Sequence, residues 1–103
     1  MRISYLTKVA EFVKSLNSDL KDKVITLVDV LEERNGVLGM PDSRSLGKGL
    51  FELRLLGAIN VRIFYCLHKN TAYLLHAIIK KSQKISKKDI DYARKMKKAV
   101  EQL

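Results

Sequence analysis

Between Gly49 and Lys81 three runs rich in leucine, aromatic and β-branched residues follow one another with very little chain between them. The first is Gly-Leu-Phe-Glu-Leu-Arg and the second Val-Arg-Ile-Phe-Tyr-Cys-Leu-His. The third is Thr-Ala-Tyr-Leu-Leu-His-Ala-Ile-Ile, closed by Lys80-Lys81. Turn signals at Gly57-Ala58 and Lys69-Asn70 separate them. A parallel pair needs a crossover of about a dozen residues or more. Connections this short therefore force neighbouring strands to pair antiparallel, as a meander. Within the runs the polar exceptions matter most. Arg54 interrupts the first, Arg62 and Tyr65 the second, and His76 the third. A charge in mid-strand is costly unless it faces water or binds something anionic, and for the arginines the bland alternatives are a surface position or pairing with Glu52 or another acid.

The rest of the chain supplies helices to cover such a sheet. Val9, Phe12, Val13 and Leu16 fall on one face of a helix beginning near Thr7. Asn17-Ser18 breaks it and can cap a second helix, from about Asp19 to Arg34, whose apolar stripe is Leu20, Val24, Leu27, Val28 and Leu31. Asn35-Gly36 stops it. The link between the two helices permits only a helical hairpin. Val37 to Lys48 reads as a loop, with Lys48 exposed between Gly47 and Gly49. After the third run, a polar connector containing Lys84 leads to Ser86, a capping residue with Asp89 three positions on. Ile90, Ala93, Met96, Val100 and Leu103 mark the apolar face of a last helix. Ile3 to Tyr5 gives only a weak strand signal. The expected fold is α+β, one domain over residues 1–103: an N-terminal helical hairpin packed on an antiparallel β-meander, closed by a C-terminal helix.

Charge divides the chain. Residues 1–42 carry six Lys/Arg against seven Asp/Glu, and residues 43–103 fourteen against four. The strands and the last helix therefore hold all of the excess in a net charge of +9. A field of that kind attracts polyanions, nucleic acid above all. The single cysteine, Cys66, excludes an internal disulfide and sits where a buried small hydrophobe is expected. No run of about 18 apolar residues is present, no secretory signal pattern opens the chain, and no Cys/His cluster has zinc spacing. The expectation is a cytoplasmic protein that does not engage the membrane.

Leu50-Phe51-Glu52-Leu53-Arg54, then Arg62-Ile63-Phe64-Tyr65, then Leu74-Leu75-His76-Ala77 with Lys80-Lys81 resembles the RelE/HigB-like toxins of type II toxin–antitoxin pairs, closest to their phage-derived branch. The resemblance covers nearly the whole chain. It implies a RelE-like fold and a ribosome-dependent mRNA endoribonuclease that inhibits translation. The reaction is metal-independent attack of the RNA 2′-hydroxyl on the adjacent phosphate, with no cofactor. It implies a cognate antitoxin, a small helix-turn-helix protein, and mRNA on the ribosome as partners. The residues matching the family pattern suggest Arg54, Arg62, Lys80 and Lys81 as the catalytic set, because arginine grips phosphate oxygens bidentately and lysine supplies a compact charge. Lys48, Tyr65, His76 and Lys84 are RNA-contact candidates. Tyr65 alternates with Val61 and Ile63, which also suits a core ring, and His76 in an apolar strand also suits simple packing. Two other readings stay open: a non-catalytic toxin on the same fold that inhibits DNA gyrase, and a basic nucleic-acid-binding module.

Overall fold

The computed structural model describes residues 1–103. The chain runs β1 (Arg2–Tyr5), α1 (Thr7–Ser15), α2 (Ser18–Glu33), β2 (Ser43–Gly47), β3 (Leu50–Leu55), β4 (Val61–His68), β5 (Thr71–Ile79) and α3 (Lys87–Glu101). It is an α+β protein of three helices and one five-stranded mixed sheet in the order β1-β5-β4-β3-β2.

Strands β3, β4 and β5 are antiparallel neighbours. The turn between β4 and β5 is Lys69-Asn70, with both residues at positive φ, 48° and 58°. Two consecutive left-handed residues match the right-handed twist of the flanking strands, which makes this the tightest useful hairpin. Two features depart from the sequence reading. The expected loop Val37–Lys48 contains β2, which pairs antiparallel with β3. Its residues, Ser-Arg-Ser-Leu-Gly, lack apolar alternation because polar partners hold it in place. Lys48 is exposed, but it is the first residue of a two-residue hairpin turn with Gly49, at φ 54° and 77°. The second departure is β1, which pairs parallel with the start of β5, so the sheet is mixed rather than a pure antiparallel meander.

Period-two alternation splits the sheet's side chains between two apolar layers. Leu53, Val61, Ile63, Tyr65, Ala72 and Leu74 face α1 and α2, meeting Val9, Val13, Val24, Val28 and Leu31. Leu50, Phe64, Cys66 and Leu75 face α3, meeting Ala93 and Val100. The molecule is thus three layers thick, α1/α2, sheet, α3. Caps fix the helix starts: Asn17 accepts from the Leu20 amide, and Ser86 accepts from the Asp89 amide.

Candidate functional site

The β3–β4 register places Arg54 directly across from Arg62, and Glu52 across from Phe64. The β2–β3 register places Arg44 across from Glu52. All four side chains therefore lie on the α3 side of the sheet, with Phe64. The Glu52 carboxylate is the hub. Arg44 Nε stands 3.5 Å from its Oε1, Arg54 Nε 3.6 Å from Oε1, and Arg62 Nε 3.5 Å from Oε2. Glu52 is 1% exposed and Arg62 3%, whereas Arg54 is 17% and Arg44 50% exposed. The mid-strand charges thus find their anion inside the chain. Three guanidinium groups around one carboxylate leave an excess of two positive charges.

None of these contacts is a well-formed hydrogen bond. Glu52 Oε2, Arg54 Nε and Arg62 Nε are buried with no hydrogen-bond partner. Arg62 Nη1 donates to the Val61 carbonyl at 3.2 Å, and Arg54 Nη1 reaches the Pro41 carbonyl at 3.4 Å. Burial pushes the Arg62 guanidinium below the usual arginine range. Glu52 opposes that shift, and Arg54 and Arg44 add to it. Arginine stays protonated at neutral pH even so. The result is a fixed, partly desolvated positive centre with Arg54 and Arg44 at its accessible edge.

Lys80 and Lys81 leave β5 at the same end of the sheet. The Lys80 amide donates to the Asn60 carbonyl at 2.8 Å, extending the β4–β5 ladder one pair beyond the strand. Arg62 pairs with Ile78 in that register. Lys80, two residues on, returns to the same side as Arg62. It is half-buried, while Lys81 is exposed. Arg54, Arg62 and Lys80 are thus brought to one side of one sheet end. Lys81, Asn60 and Ser82 line an open depression of about 540 Å³ with Lys80.

The remaining sequence candidates separate. Tyr65 is fully buried in the α1/α2 layer. Its ring stacks on Phe51 at 5.4 Å, and its hydroxyl shares a 2.7 Å hydrogen bond with Ser43. Enclosed there, it has no face to offer an RNA base; the expectation of Tyr65 as an RNA contact is replaced by a core role. His76 is partly exposed, and its Nε2 lies 2.8 Å from Asp89 Oδ1. The His76 ring is stacked on Phe64 and meets the Tyr92 ring edge-on. Asp89 also accepts from the Ser86 hydroxyl at 2.7 Å. The His76 hydrogen bond, followed by burial acting in reverse and by the Ser86 bond, leaves the Asp89 carboxyl below the ordinary range. Lys84 is exposed in the connector before α3. Lys48 stands apart from the arginines, at a second groove beside α3.

Sequence reasoning did not select Arg44 as a site residue, and it offered Glu52 only as a pairing partner for the arginines. The signal for Glu52 was its place two residues before Arg54 on the same strand face. Arg44 carried no signal until β2 was known to exist.

Residues 11–98 match the family model described as Phage derived protein Gp49-like (DUF891). A comparison with curated proteins finds no match.

Proposed function

Because the chain belongs to the phage-derived Gp49-like family, we propose that it is the toxin of a toxin–antitoxin pair, and that it acts by cutting messenger RNA. The observation that carries this reading is the Arg54–Arg62 cross-strand pair beside Lys80, an excess of positive charge on one sheet end that the internal carboxylate of Glu52 only partly offsets.

RNA brings its own nucleophile. In-line attack of a 2′-hydroxyl on the adjacent phosphorus, its proton passing to a base, builds a dianionic phosphorane; the P–O5′ bond then breaks, leaving a 2′,3′-cyclic phosphate and a 5′-oxygen that takes up a proton. Pre-positioned cations in a partly desolvated setting lower that barrier, because they need no reorganisation as charge develops. Arg54, the more accessible of the pair, contacts the phosphate oxygens. Lys80 approaches from the neighbouring strand end. Arg62, almost wholly enclosed, acts from beneath as a positioning residue, holding Glu52 and Arg54 and adding to the field. His76 is held by Asp89 at 2.8 Å and is the proton-transfer candidate of this reading. A small helix-turn-helix antitoxin and mRNA on the ribosome are the partners this reading carries.

The test is controlled expression in bacteria with transcript 5′ ends mapped before and after induction. The wild type is run beside Arg54→Ala, whose partial exposure makes it the safer substitution for folding. New 5′ ends inside translated frames, absent for the variant, are the expected result. Growth arrest without new ends would overturn the nuclease assignment and leave a toxin that binds without cutting.

A further inference from the structure

A second positive surface lies outside the arginine cluster. We infer that the groove between α3 and the β2–β3 turn is a track for the phosphate backbone of single-stranded RNA, feeding the Arg54 site. This rests on the reading above for the identity of the polymer, but it stands on separate residues.

The groove is open, about 590 Å³, and no apolar side chain lines it. Its cations are Lys48 from the turn and Arg94, Lys95, Lys97 and Lys98 from α3. Its two carboxylates are already engaged: Glu101 with Lys97 at 2.8 Å and Asp91 with Lys87 at 3.0 Å. Arg94 is committed to structure, donating to the Leu46 and Gly47 carbonyls at 3.0 and 3.3 Å and so fastening α3 to β2. Lys48, Lys95 and Lys98 remain exposed and without a partner carboxylate. Lys95 and Lys98, three apart on a helix, are surface neighbours.

Strand β2 leads from the groove toward the arginine site. Arg44 sits three residues before Gly47 on β2, half-exposed, on the same side of the sheet as Glu52 and Arg54. Lys48 at the turn and Arg44 further back along β2 are the two exposed cations between the groove and Arg54. On the opposite side of the molecule α2 shows the reverse character, with Asp19, Asp22, Asp29, Glu32 and Glu33 all exposed against two lysines. A polyanion is repelled there and held on the α3 side.

The lining chooses between two polyanions. Grooves that bind peptides rely on apolar or aromatic anchors at their centre. A phosphate backbone needs none; it is held by cations with release of counterions. A groove without one apolar side chain fits the second case.

The test is binding of a short 2′-O-methyl RNA, which cannot be cleaved, followed by fluorescence anisotropy across a salt series. Wild type is compared with Lys95→Ala/Lys98→Ala, and with Lys21→Ala/Lys23→Ala on α2 as a charge-matched control. Thermal melting checks that both fold. For the α3 variant the slope of log affinity against log salt should become shallower by about 1.4, two contacts at about 0.7 each. Its affinity should fall about tenfold, and the α2 control should bind as wild type does. An unchanged slope in the α3 variant, or an equal loss in the α2 control, would overturn the track. So would tighter binding of a polyglutamate peptide, lost with the same two lysines. Cleavage of unmodified RNA is scored separately: a protein that binds as described but cuts nothing keeps the track and loses the nuclease reading.

Discussion

Removing the charge of Glu52 tests the centre of the site. Glu52 is enclosed with three arginines around it, and Arg62 is nearly as enclosed. In Glu52→Gln the side chain keeps its shape and one oxygen but loses its charge. Arg62 is then a buried cation facing Arg54 across the strand pair with no anion between them. Breaking a buried ion pair by removing one partner costs about 3–5 kcal/mol. The low end applies, because Arg44 and Arg54 can turn toward water and the amide still accepts a hydrogen bond. A loss of about 3 kcal/mol is a large share of the roughly 5–15 kcal/mol that holds a domain folded. With a urea slope of about 1–3 kcal/mol/M for a small protein, the midpoint should drop by about 1–3 M.

The second half of the test is Glu52→Gln/Arg62→Met. A buried pair replaced on both sides by groups of similar shape is often neutral. The double variant should therefore recover most of the loss, giving a coupling energy of about 2 kcal/mol in the cycle. Urea denaturation followed by circular dichroism measures all four proteins. If Glu52→Gln lies within about 0.5 kcal/mol of wild type, the size of an ordinary surface substitution, or if the two substitutions simply add, the ionic hub is not what holds these side chains, and the account of Arg62 as a positioning residue fails with it.

Other expectations follow from the same structure. Cys66 is buried, and loss of solvent raises its thiol to about 11. Native protein at pH 8 should resist a thiol reagent for as long as it stays folded and react at once in denaturant; rapid native labelling would contradict the packing. Asp89 is lowered, chiefly by its His76 hydrogen bond. Its contribution to stability is full above the ordinary carboxylate range and is lost as pH falls through the lowered value, so melting temperature should decline more steeply below about pH 4 in wild type than in Asp89→Asn. Parallel curves would refute the linkage. Leu31 is completely enclosed against the α1/α2 face of the sheet, and Leu31→Ala should cost about 2–5 kcal/mol in urea denaturation. Asn70 holds φ 58° in the β4–β5 turn, and Asn70→Gly should raise the melting temperature slightly or leave it unchanged, since glycine accepts that conformation without cost.

Strands β3, β4 and β5 were legible because each alternates apolar residues with a small set of polar ones and is bounded by turn residues. Strand β2 was not. Its inward residue, Ser43, is held by the Tyr65 hydroxyl, and its Arg44 by Glu52. A strand anchored through polar groups on its neighbours leaves no periodic apolar signal of its own. The arginine pair was half legible. Two mid-strand arginines were plain, but that they face each other depends on a register set by the turn from Leu56 to Asn60. The sequence also offered Tyr65 two settings, and alternation with Val61 and Ile63 favoured the one observed. Neither the α3 groove nor the His76–Asp89 contact was readable, because each joins residues through the docking of α3, and the apolar stripe of a helix does not reveal where along a sheet it settles.

The charge layout explains why so costly an arrangement as a buried arginine is kept. An arginine at the surface of a sheet end would be hydrated and mobile, and its field would be screened within about 10 Å at ordinary salt. Arg62 is enclosed, with its guanidinium beside Glu52, so its orientation is fixed and its screening is weak. Glu52 makes that enclosure tolerable without cancelling it, because one carboxylate serves three cations. A carboxylate for each arginine would give a more stable sheet and no residual field. A single shared one leaves the cluster short of negative charge, the condition that the proposed reading assigns to an incoming phosphate. On this account, removing one cation from the hub's accessible edge, as in Arg44→Gln, should cost little stability, because position 44 is half-exposed, while it weakens RNA binding. The two effects are read by urea denaturation and by anisotropy with the uncleavable RNA. A variant that loses stability and affinity together, or neither, would show that the charge deficit is not what the site uses.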